Sequence, residues 1–314
     1  MAMTDERQLP REPEAPVETR CGFVALIGAP NVGKSTLVNA LVGAKVTIVS
    51  RKVQTTRALI RGIVVENNAQ IILVDTPGIF SPKRRLDRAM VTTAWSGAHD
   101  ADVVCVLLDA KSGIDEEAES ILAKLESVHH PKLLVLNKVD LVPREKLLAL
   151  AKAANDRYRF EQTFMISALS GDGVDDLRQA LAQMVPCGPF HYPEDQMSDA
   201  PLRHLAAEIT REKIFRQLHQ ELPYQSTVET DSWTEQRDKS VRIEQTIFVE
   251  RENQRKIVLG KGGATIRSIG AESRKEIGEI LGVPVHLFLF VKVRENWADD
   301  PSRYREMGLE FPKE

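Results

Sequence analysis

The stretch FVALIGAPNVGKSTLVNALVG, Phe23–Gly43, decides the fold of the N-terminal half. The run Phe23–Gly28 has no polar face, so it reads as a strand buried on both sides. Gly28–Ser35 matches Gly-x-x-x-x-Gly-Lys-Ser, and helical periodicity follows. Strand, glycine loop and helix N-terminus in that order form a phosphate-binding loop. Gly28, Ala29, Pro30, Asn31, Val32 and Gly33 are expected to turn backbone N–H groups inward around a β-phosphate. Lys34 is expected on the β- and γ-phosphates and the Ser35 hydroxyl on Mg2+, with Thr36 beside them. The helix N-terminus adds its positive end to the same place.

Working outward, short apolar runs alternate with helical patterns as far as about Val185. Leu59–Asn67 and Gln70–Thr76 are joined by the turn Asn67–Asn68–Ala69, a hairpin signal. Val103–Asp109, Lys132–Lys138 and Thr163–Ser167 are three further buried runs, each followed by a helical stretch. This predicts an α/β domain with a mostly parallel sheet covered on both faces and one antiparallel edge. Pro186–Pro201 carries four prolines and little periodicity, and reads as a linker. Beyond it come a helix from about Leu202 to Gln220, strands Tyr224–Glu235 and Ser240–Glu250, and a glycine segment. A helix from about Ala264 to Leu281 and a strand Pro284–Val293 complete the pattern. The order is α-β-β-α-β, with an extra helical turn at the glycines: a small α+β domain on a three-stranded sheet.

Bulk properties bound the function. The length of 314 residues predicts about two domains, and 42% apolar residues suffice for real cores. A net charge of −3 gives no global basic field, so any nucleic-acid site has to be a local patch. Cys21, Cys105 and Cys187 are scattered, as in a reducing compartment. His129–His130 reads as solvated surface. Residues 1–20 hold Pro10, Pro13 and Pro16 among charges of both signs, and read as a disordered tail. No run approaches the roughly 18 apolar residues of a membrane span. The expectation is a soluble, cytoplasmic protein.

Three polar loops sharpen the reading. Val74–Gly78 is VDTPG at the end of a strand. Asp75 is placed to hold magnesium through water, the Gly78 N–H to meet a γ-phosphate, and Thr76, Pro77 and Ile79 to flank them. Asn137–Asp140 is NKVD. Asp140 can accept hydrogen bonds from the N1–H and amino group of guanine, whereas adenine would leave it unpaired. Asn137 and Lys138 belong to the same loop. Ser167–Ala168–Leu169 follows the last strand, with the Ala168 N–H aimed at guanine O6. Four such pieces, each at the C-terminal end of a strand, point to a guanine nucleotide.

These residues resemble the Era family of translation-factor-type GTPases. The likeness rests on GAPNVGKS, QTTR (Gln54–Arg57), DTPG, NKVD and SAL, followed by a Gly-x-x-Gly segment. It implies a Ras-like GTPase domain at 21–185, a linker at 186–201, a type II KH domain at 202–294 and a C-terminal tail at 295–314. It implies binding of the 3′ end of 16S ribosomal RNA and assistance to assembly of the 30S subunit, by a monomer that can touch the inner membrane face peripherally. Ile79 stands where Ras-type enzymes place a water-orienting glutamine, and it has no group to do that. The resemblance offers another route, a potassium ion held at Asn31 beside the transferring phosphate. Slow, Mg-dependent, potassium-stimulated hydrolysis follows, with Lys34, Asn31, Thr56 and Gly78 as its residues. Lys45–Ala58 should be switch I, whose Thr56 or Thr55 closes on the magnesium with Ser35 and Asp75. Lys83, Arg84, Arg85 and Arg88 of switch II are an RNA contact or a solvated face.

The second glycine loop, VLGKGGATIR (Val258–Arg267), then has a role. Gly260, Lys261, Gly262 and Gly263 match a KH Gly-x-x-Gly loop, whose bare backbone lets about four nucleotides approach. Ile257, Val258, Ile266 and Ile269 should line the groove and the core beside it. Residues 251–275 carry seven cations, among them Arg255, Lys256 and Arg267, against Glu252 and Glu272. Such a patch supplies salt-dependent affinity for phosphates. Phe248, Phe288 and Phe290 read as core and sheet packing. Two other functions compete: an RNA-docking protein whose nucleotide half never turns over, and a signalling GTPase at a membrane surface.

Overall fold

The computed structural model describes residues 18–312 except 51, 53, 54, 220, 296, 298, 299, 302, 303, 305 and 306. The tail at 1–17 and Gln54 of the QTTR motif therefore lie outside the described residues. The first half is β1 (Arg20–Ile27), α1 (Lys34–Val42), β2 (Ile60–Glu66), β3 (Ala69–Asp75), α2 (Arg85–Asp100), β4 (Val103–Asp109), α3 (Glu116–Lys124), β5 (Lys132–Asn137), α4 (Arg144–Arg157), β6 (Gln162–Ile166) and α5 (Val174–Met184). The strands form one sheet in the order β2-β3-β1-β4-β5-β6. Only β2 runs antiparallel, paired with β3 through the hairpin at Asn67–Asn68. β4 and β5 are apolar on both faces because helices cover both faces, and Val103–Leu108 and Leu133–Leu136 are buried. The order reverses beside β1, so the ends of β1, β3, β4 and β5 open on one crevice, the place where such sheets bind ligands.

The second half is α6 (Leu202–Gln217), β7 (Ser226–Glu235), β8 (Val241–Val249), α7 (Glu252–Leu259), α8 (Ala264–Leu281) and β9 (Val285–Val293). Its sheet runs β7-β8-β9, antiparallel then parallel. Ile214, Ile247, Val258 and Ile269 form its core.

Several expectations need correction. β6 is an edge strand with Gln162 and Thr163 exposed, not a buried run. The extra turn before the glycine loop is an eight-residue helix, α7, and α6 stops at Gln217. Arg20, placed in the tail, opens β1 and pairs with Ala69. The linker lies against the edge of the first sheet, with Ile63 N–H on the Met197 carbonyl and Arg61 paired with Asp199 at 2.7 Å. The C-terminal segment is not a free tail. Tyr304 and Leu309 are buried against Leu86, Ala89 and Met90 of α2. Trp297 is 1% exposed, gives its indole N–H to the Gln225 carbonyl at 3.0 Å, and lies 5.6 Å from the Arg57 guanidinium carbon. Trp297, Tyr304 and Leu309 are spaced irregularly in the sequence, and their burial comes from long-range packing. No helix among the described residues is long and apolar enough to cross a membrane.

Trp297→Ala is expected to destabilise the C-terminal half by about 3–5 kcal/mol, because it removes a fully buried indole. Urea unfolding monitored by far-UV circular dichroism measures this.

Candidate nucleotide site and nucleic-acid interface

The phosphate loop is shaped by its neighbours. Gly33 has φ 101°, and a Cβ there would lie 2.2 Å from Asn137 Nδ2. At Gly78 a Cβ would lie 2.9 Å from the Pro30 Cα. The glycines thus allow the loop to pack against the ends of β3 and β5. Lys34 is buried, and its Nζ donates to the carbonyls of Gly28 and Ala29, each at 3.0 Å. Burial lowers its pKa to about 8, against the attraction of Asp75 and Glu117. Thr76 gives its hydroxyl to the Leu26 carbonyl, and the Ile79 N–H bonds Gly28 O at 3.0 Å. The Ile79 side chain is part of the hydrophobic core.

Asp75 is the centre of the polar cluster. Its Oδ2 accepts Ser35 at 2.7 Å, Thr47 at 2.9 Å and Thr56 at 3.3 Å. Oδ1 is buried and has no hydrogen-bond partner among the described residues. Burial raises the carboxyl pKa; the three hydroxyls and Lys34 oppose it. Ser35 Oγ and Thr56 Oγ1 are 2.9 Å apart. A buried carboxylate oxygen beside two paired hydroxyls is a donor set of hard oxygens, which suits Mg2+. The choice between the two switch threonines is geometric. Thr55 turns away, to Lys52 O and Ser50 Oγ, while Thr56 joins the cluster. Sequence reasoning singled out neither Thr47, near the start of the Lys45–Ala58 segment, nor its clamp Asn39; Val46, Thr47 and Ile48 are all buried.

The expected base site is tied to the phosphate loop. Asn137 Nδ2 donates to the Val32 carbonyl at 2.8 Å, and its Oδ1 accepts Lys138 N and Ala168 N at 2.8 and 3.0 Å. The Ala168 N–H, expected to face guanine O6, is therefore taken by Asn137 here, because the Ser167–Leu169 loop packs directly on that side chain. Lys138 Nζ bridges Asn31 O at 2.6 Å and Asp109 Oδ2 at 2.5 Å. Asp109 was missed; it ends β4, next to the motif residue Asn137 in the register. Asp140 and Leu169 are exposed at the mouth, and so is Asn31, with φ 62°.

In the second half, Gly260, Gly262 and Gly263 all have positive φ, at 72°, 58° and 77°. Gly262 has open space around it, whereas a Cβ at Gly260 would lie 2.2 Å from Thr265 Oγ1. One glycine is needed for packing, the other leaves backbone bare. Lys256, Ile257, Lys261 and Arg267 are exposed on this side, and Arg267 folds back on Gly262 O at 2.7 Å. Arg255 is held by Glu252 and the Val291 carbonyl. Beyond the loop a cleft of about 390 Å³ lies between α8 and β9, lined by Ile266, Gly270, Arg274, Leu287, Phe288 and Phe290. Phe288 and Phe290 are 43% and 48% exposed, which corrects their reading as core. β9 is an edge strand whose alternation turns Leu287 and Leu289 inward and both phenylalanines out. Lys83, Arg84 and Arg88 are exposed, and the Arg85 guanidinium lies 5.2 Å from the Phe311 ring centre.

The segment after α1 touches both halves. Lys45 pairs with Glu212 at 2.7 Å, and Val49 N–H donates to Glu212 Oε1 at 3.0 Å. The Thr55 carbonyl accepts Arg211, and Lys52 reaches the Leu218 carbonyl. Arg57 is buried between Phe215 and Trp297 and donates to the carbonyls of Pro223, Tyr224 and Ser226. Burial lowers its pKa to about 9, with nearby Arg211 adding to the effect and Glu208 opposing it.

A phosphate loop with guanine-type loops, joined to a Gly-x-x-Gly module, is the layout of a P-loop GTPase that carries a KH domain. Residues 23–138 match the family described as 50S ribosome-binding GTPase, and residues 221–298 match the KH domain family. The chain is 87% identical over 301 residues to GTPase Era of Bradyrhizobium diazoefficiens, covering 96% of this chain and 98% of that protein. It is 67% identical over 297 residues to GTPase Era of Rhizobium meliloti, covering 95% of each. A crystal structure of Era in complex with MgGDPNP and nucleotides 1506–1542 of 16S ribosomal RNA superposes with a TM-score of 0.87 at 37% identity, covering 92% of this chain and 99% of that one. A point variant of Aquifex aeolicus Era bound to GDP·AlF4− gives the same values. The chain belongs to the GTPase Era family.

The buried Lys34 amine yields a pH-dependent signature. In the nucleotide-free protein its neutral fraction grows above pH 8, and a polyphosphate beside it favours the charged form. GDP binding at pH 9 is expected to take up a proton, with the uptake vanishing below about pH 7 and in Lys34→Met. Calorimetry in buffers of different ionisation enthalpy measures it.

Proposed function

We propose that this chain is a GTP-hydrolysing switch that binds the 3′ end of 16S ribosomal RNA and assists assembly of the 30S subunit. The observation that carries the reading is the path of the segment between α1 and β2. Thr56 sits on Asp75 in the phosphate crevice, and the next residue, Arg57, is bonded to three carbonyls of the KH half. A change at the γ-phosphate that moves Thr56 has to move or strain the Arg57 contacts as well.

In this reading, Lys34 turns from the loop carbonyls to the β- and γ-phosphates, while backbone N–H groups of residues 29–35 cradle the β-phosphate. Asp140 accepts the N1–H and amino group of guanine; adenine would leave it desolvated and unpaired, a discrimination of about 10⁴-fold. Asn137 braces this loop, and Lys138 is held over the base side by Asp109. Ser35, Thr56 and Asp75 are the residues that would hold Mg2+. When bound, the ion neutralises charge on the transferring phosphoryl group. The Gly78 N–H faces the γ-phosphate. Asn31 is exposed at the loop, open to a monovalent cation, and with Ile79 in the core hydrolysis is slow.

The Gly260–Gly263 backbone clamps the RNA phosphates, Lys256, Lys261 and Arg267 add charge, and the cleft along α8 takes bases against Phe288 and Phe290. GTP orders the switch and biases the orientation of the KH half; hydrolysis permits release. The reading places the protein in the cytoplasm, with its RNA.

The test is titration of a single-stranded RNA copy of the 16S 3′ end against protein loaded with GDP or a non-hydrolysable GTP analogue. Tighter binding in the analogue state is expected, with loss of binding in Gly262→Asp, which puts a carboxylate on the bare backbone. Unchanged binding in that variant removes the RNA site from this loop. Replacing sodium by potassium is expected to raise the hydrolysis rate, and Asn31→Ala to abolish that rise. A rate indifferent to the cation excludes Asn31 from the reaction.

A further inference from the structure

The two oxygens of the Asp75 carboxylate are in opposite circumstances. Oδ2 accepts three hydroxyls, and Oδ1 is buried with no partner among the described residues. Ser35 and Thr56 account for two of the hydroxyls. The third comes from Thr47, which lies near the start of the Lys45–Ala58 segment, away from the two expected switch threonines, and is fully buried. Its backbone is clamped on both sides by one side chain. Asn39 Oδ1 accepts the N–H of Val46 at 2.9 Å and of Thr47 at 3.1 Å, and Asn39 Nδ2 donates to the Thr47 carbonyl at 2.9 Å. Asn39 is on α1, one turn beyond Ser35. On the other side, Glu212 holds Lys45 and the Val49 N–H, two residues to either side of Thr47.

A hydroxyl presented from so rigid a mount differs from that of Thr56, which lies nine positions further along a segment that has to open and close. We infer that Thr47 is a positioning residue for the magnesium site: its hydrogen bond fixes the plane of the Asp75 carboxylate and so, when Thr56 withdraws, keeps that carboxylate oriented for the metal that Ser35, Thr56 and Asp75 would hold. The inference rests on the reading of this crevice as a Mg–guanine nucleotide site. It also follows from simple hydrogen-bond arithmetic. With Thr56 gone and no hydroxyl at position 47, Ser35 alone would hold Oδ2, and one bond leaves a carboxylate free to rotate about it; the two bonds from Ser35 and Thr47, coming from different directions, do not. Thr47 therefore matters most in the GDP state. Partners of this outer kind are commonly worth 10–100-fold in metal affinity. The alternative is a buried threonine whose hydroxyl merely takes the nearest acceptor. That predicts an effect on stability and none on metal binding.

The experiment uses the full-length protein loaded with a fluorescent GDP, and follows the dissociation rate as a function of Mg2+ concentration. The midpoint of the slowing by magnesium reports the metal affinity without any turnover. Thr47→Val keeps the shape and removes the hydroxyl, and is expected to raise the midpoint about tenfold. Thr47→Ser keeps the hydroxyl and is expected to restore it. The thermal midpoint of each nucleotide-free variant separates unfolding from loss of metal affinity. A Thr47→Val midpoint equal to that of the wild type overturns the inference, whatever its stability. Should Thr47→Val fail to fold, Asn39→Ala, which leaves the hydroxyl and frees its mount, is expected to raise the midpoint in the same direction; an unchanged value there overturns the inference equally. Wild-type protein whose GDP release ignores magnesium would instead remove the nucleotide-site reading itself.

Discussion

A carboxylate fully buried at the end of a strand is unfavourable unless its surroundings compensate it, and Asp75 is such a group. Much of the first half is arranged to do so. The parallel register sets Asp75 beside Leu26, which brings it under the phosphate loop, and α1 delivers Ser35 and Lys34 to the same spot. The hydroxyls of Thr47 and Thr56 arrive from the segment between α1 and β2. Oδ1 still lacks a partner among the described residues, and Lys34 is driven toward its neutral form by burial. Both imbalances have one sense. The crevice is short of a cation at Asp75 and short of an anion at Lys34, and a magnesium–polyphosphate ligand supplies the two together.

The same loop is the mechanical link between the two halves. It carries residues that face Asp75 and, between them, residues that face the KH half. Glu212 is the anchor on that side: fully buried, it pairs with Lys45, Lys213 and Arg216 and accepts the Val49 N–H. Buried ion pairs of this kind do little for net stability, but breaking one leaves an uncompensated charge, so the arrangement is held all-or-none. Arg57 is held differently, by carbonyls and aromatic faces, with Arg211 close enough to depress its pKa further. An interface made of directional contacts on a short loop admits discrete alternatives better than gradual sliding. That is the property a nucleotide-driven switch needs.

Much of this was legible in the sequence. The phosphate loop, the hairpin, the succession of elements along the chain and the second glycine loop follow from local patterns, because glycine spacing and apolar periodicity act over a few residues. The errors share a cause. β6 read as buried because its composition is apolar enough, and only its place at the sheet edge exposes it. Phe288 and Phe290 read as core because aromatic residues usually are; the edge position of β9 turns them outward. The C-terminal segment read as a tail because its buried residues are spaced irregularly, and it is α2, some 200 positions earlier, that gives them a surface to cover.

By itself, then, the sequence determined the candidate chemistry: which residue types are suited to a phosphate, which to a guanine and which to an RNA backbone, since each demands particular residue types at short, fixed spacings. Tertiary structure alone decided the wiring. It chose Thr56 over Thr55, recruited Thr47 and Asp109, which sequence reasoning had not singled out, gave the Ala168 N–H to Asn137, and set Arg57 in the KH half. Those choices depend on contacts between residues far apart in the chain, made only when two independently patterned cores are packed on either side of one loop.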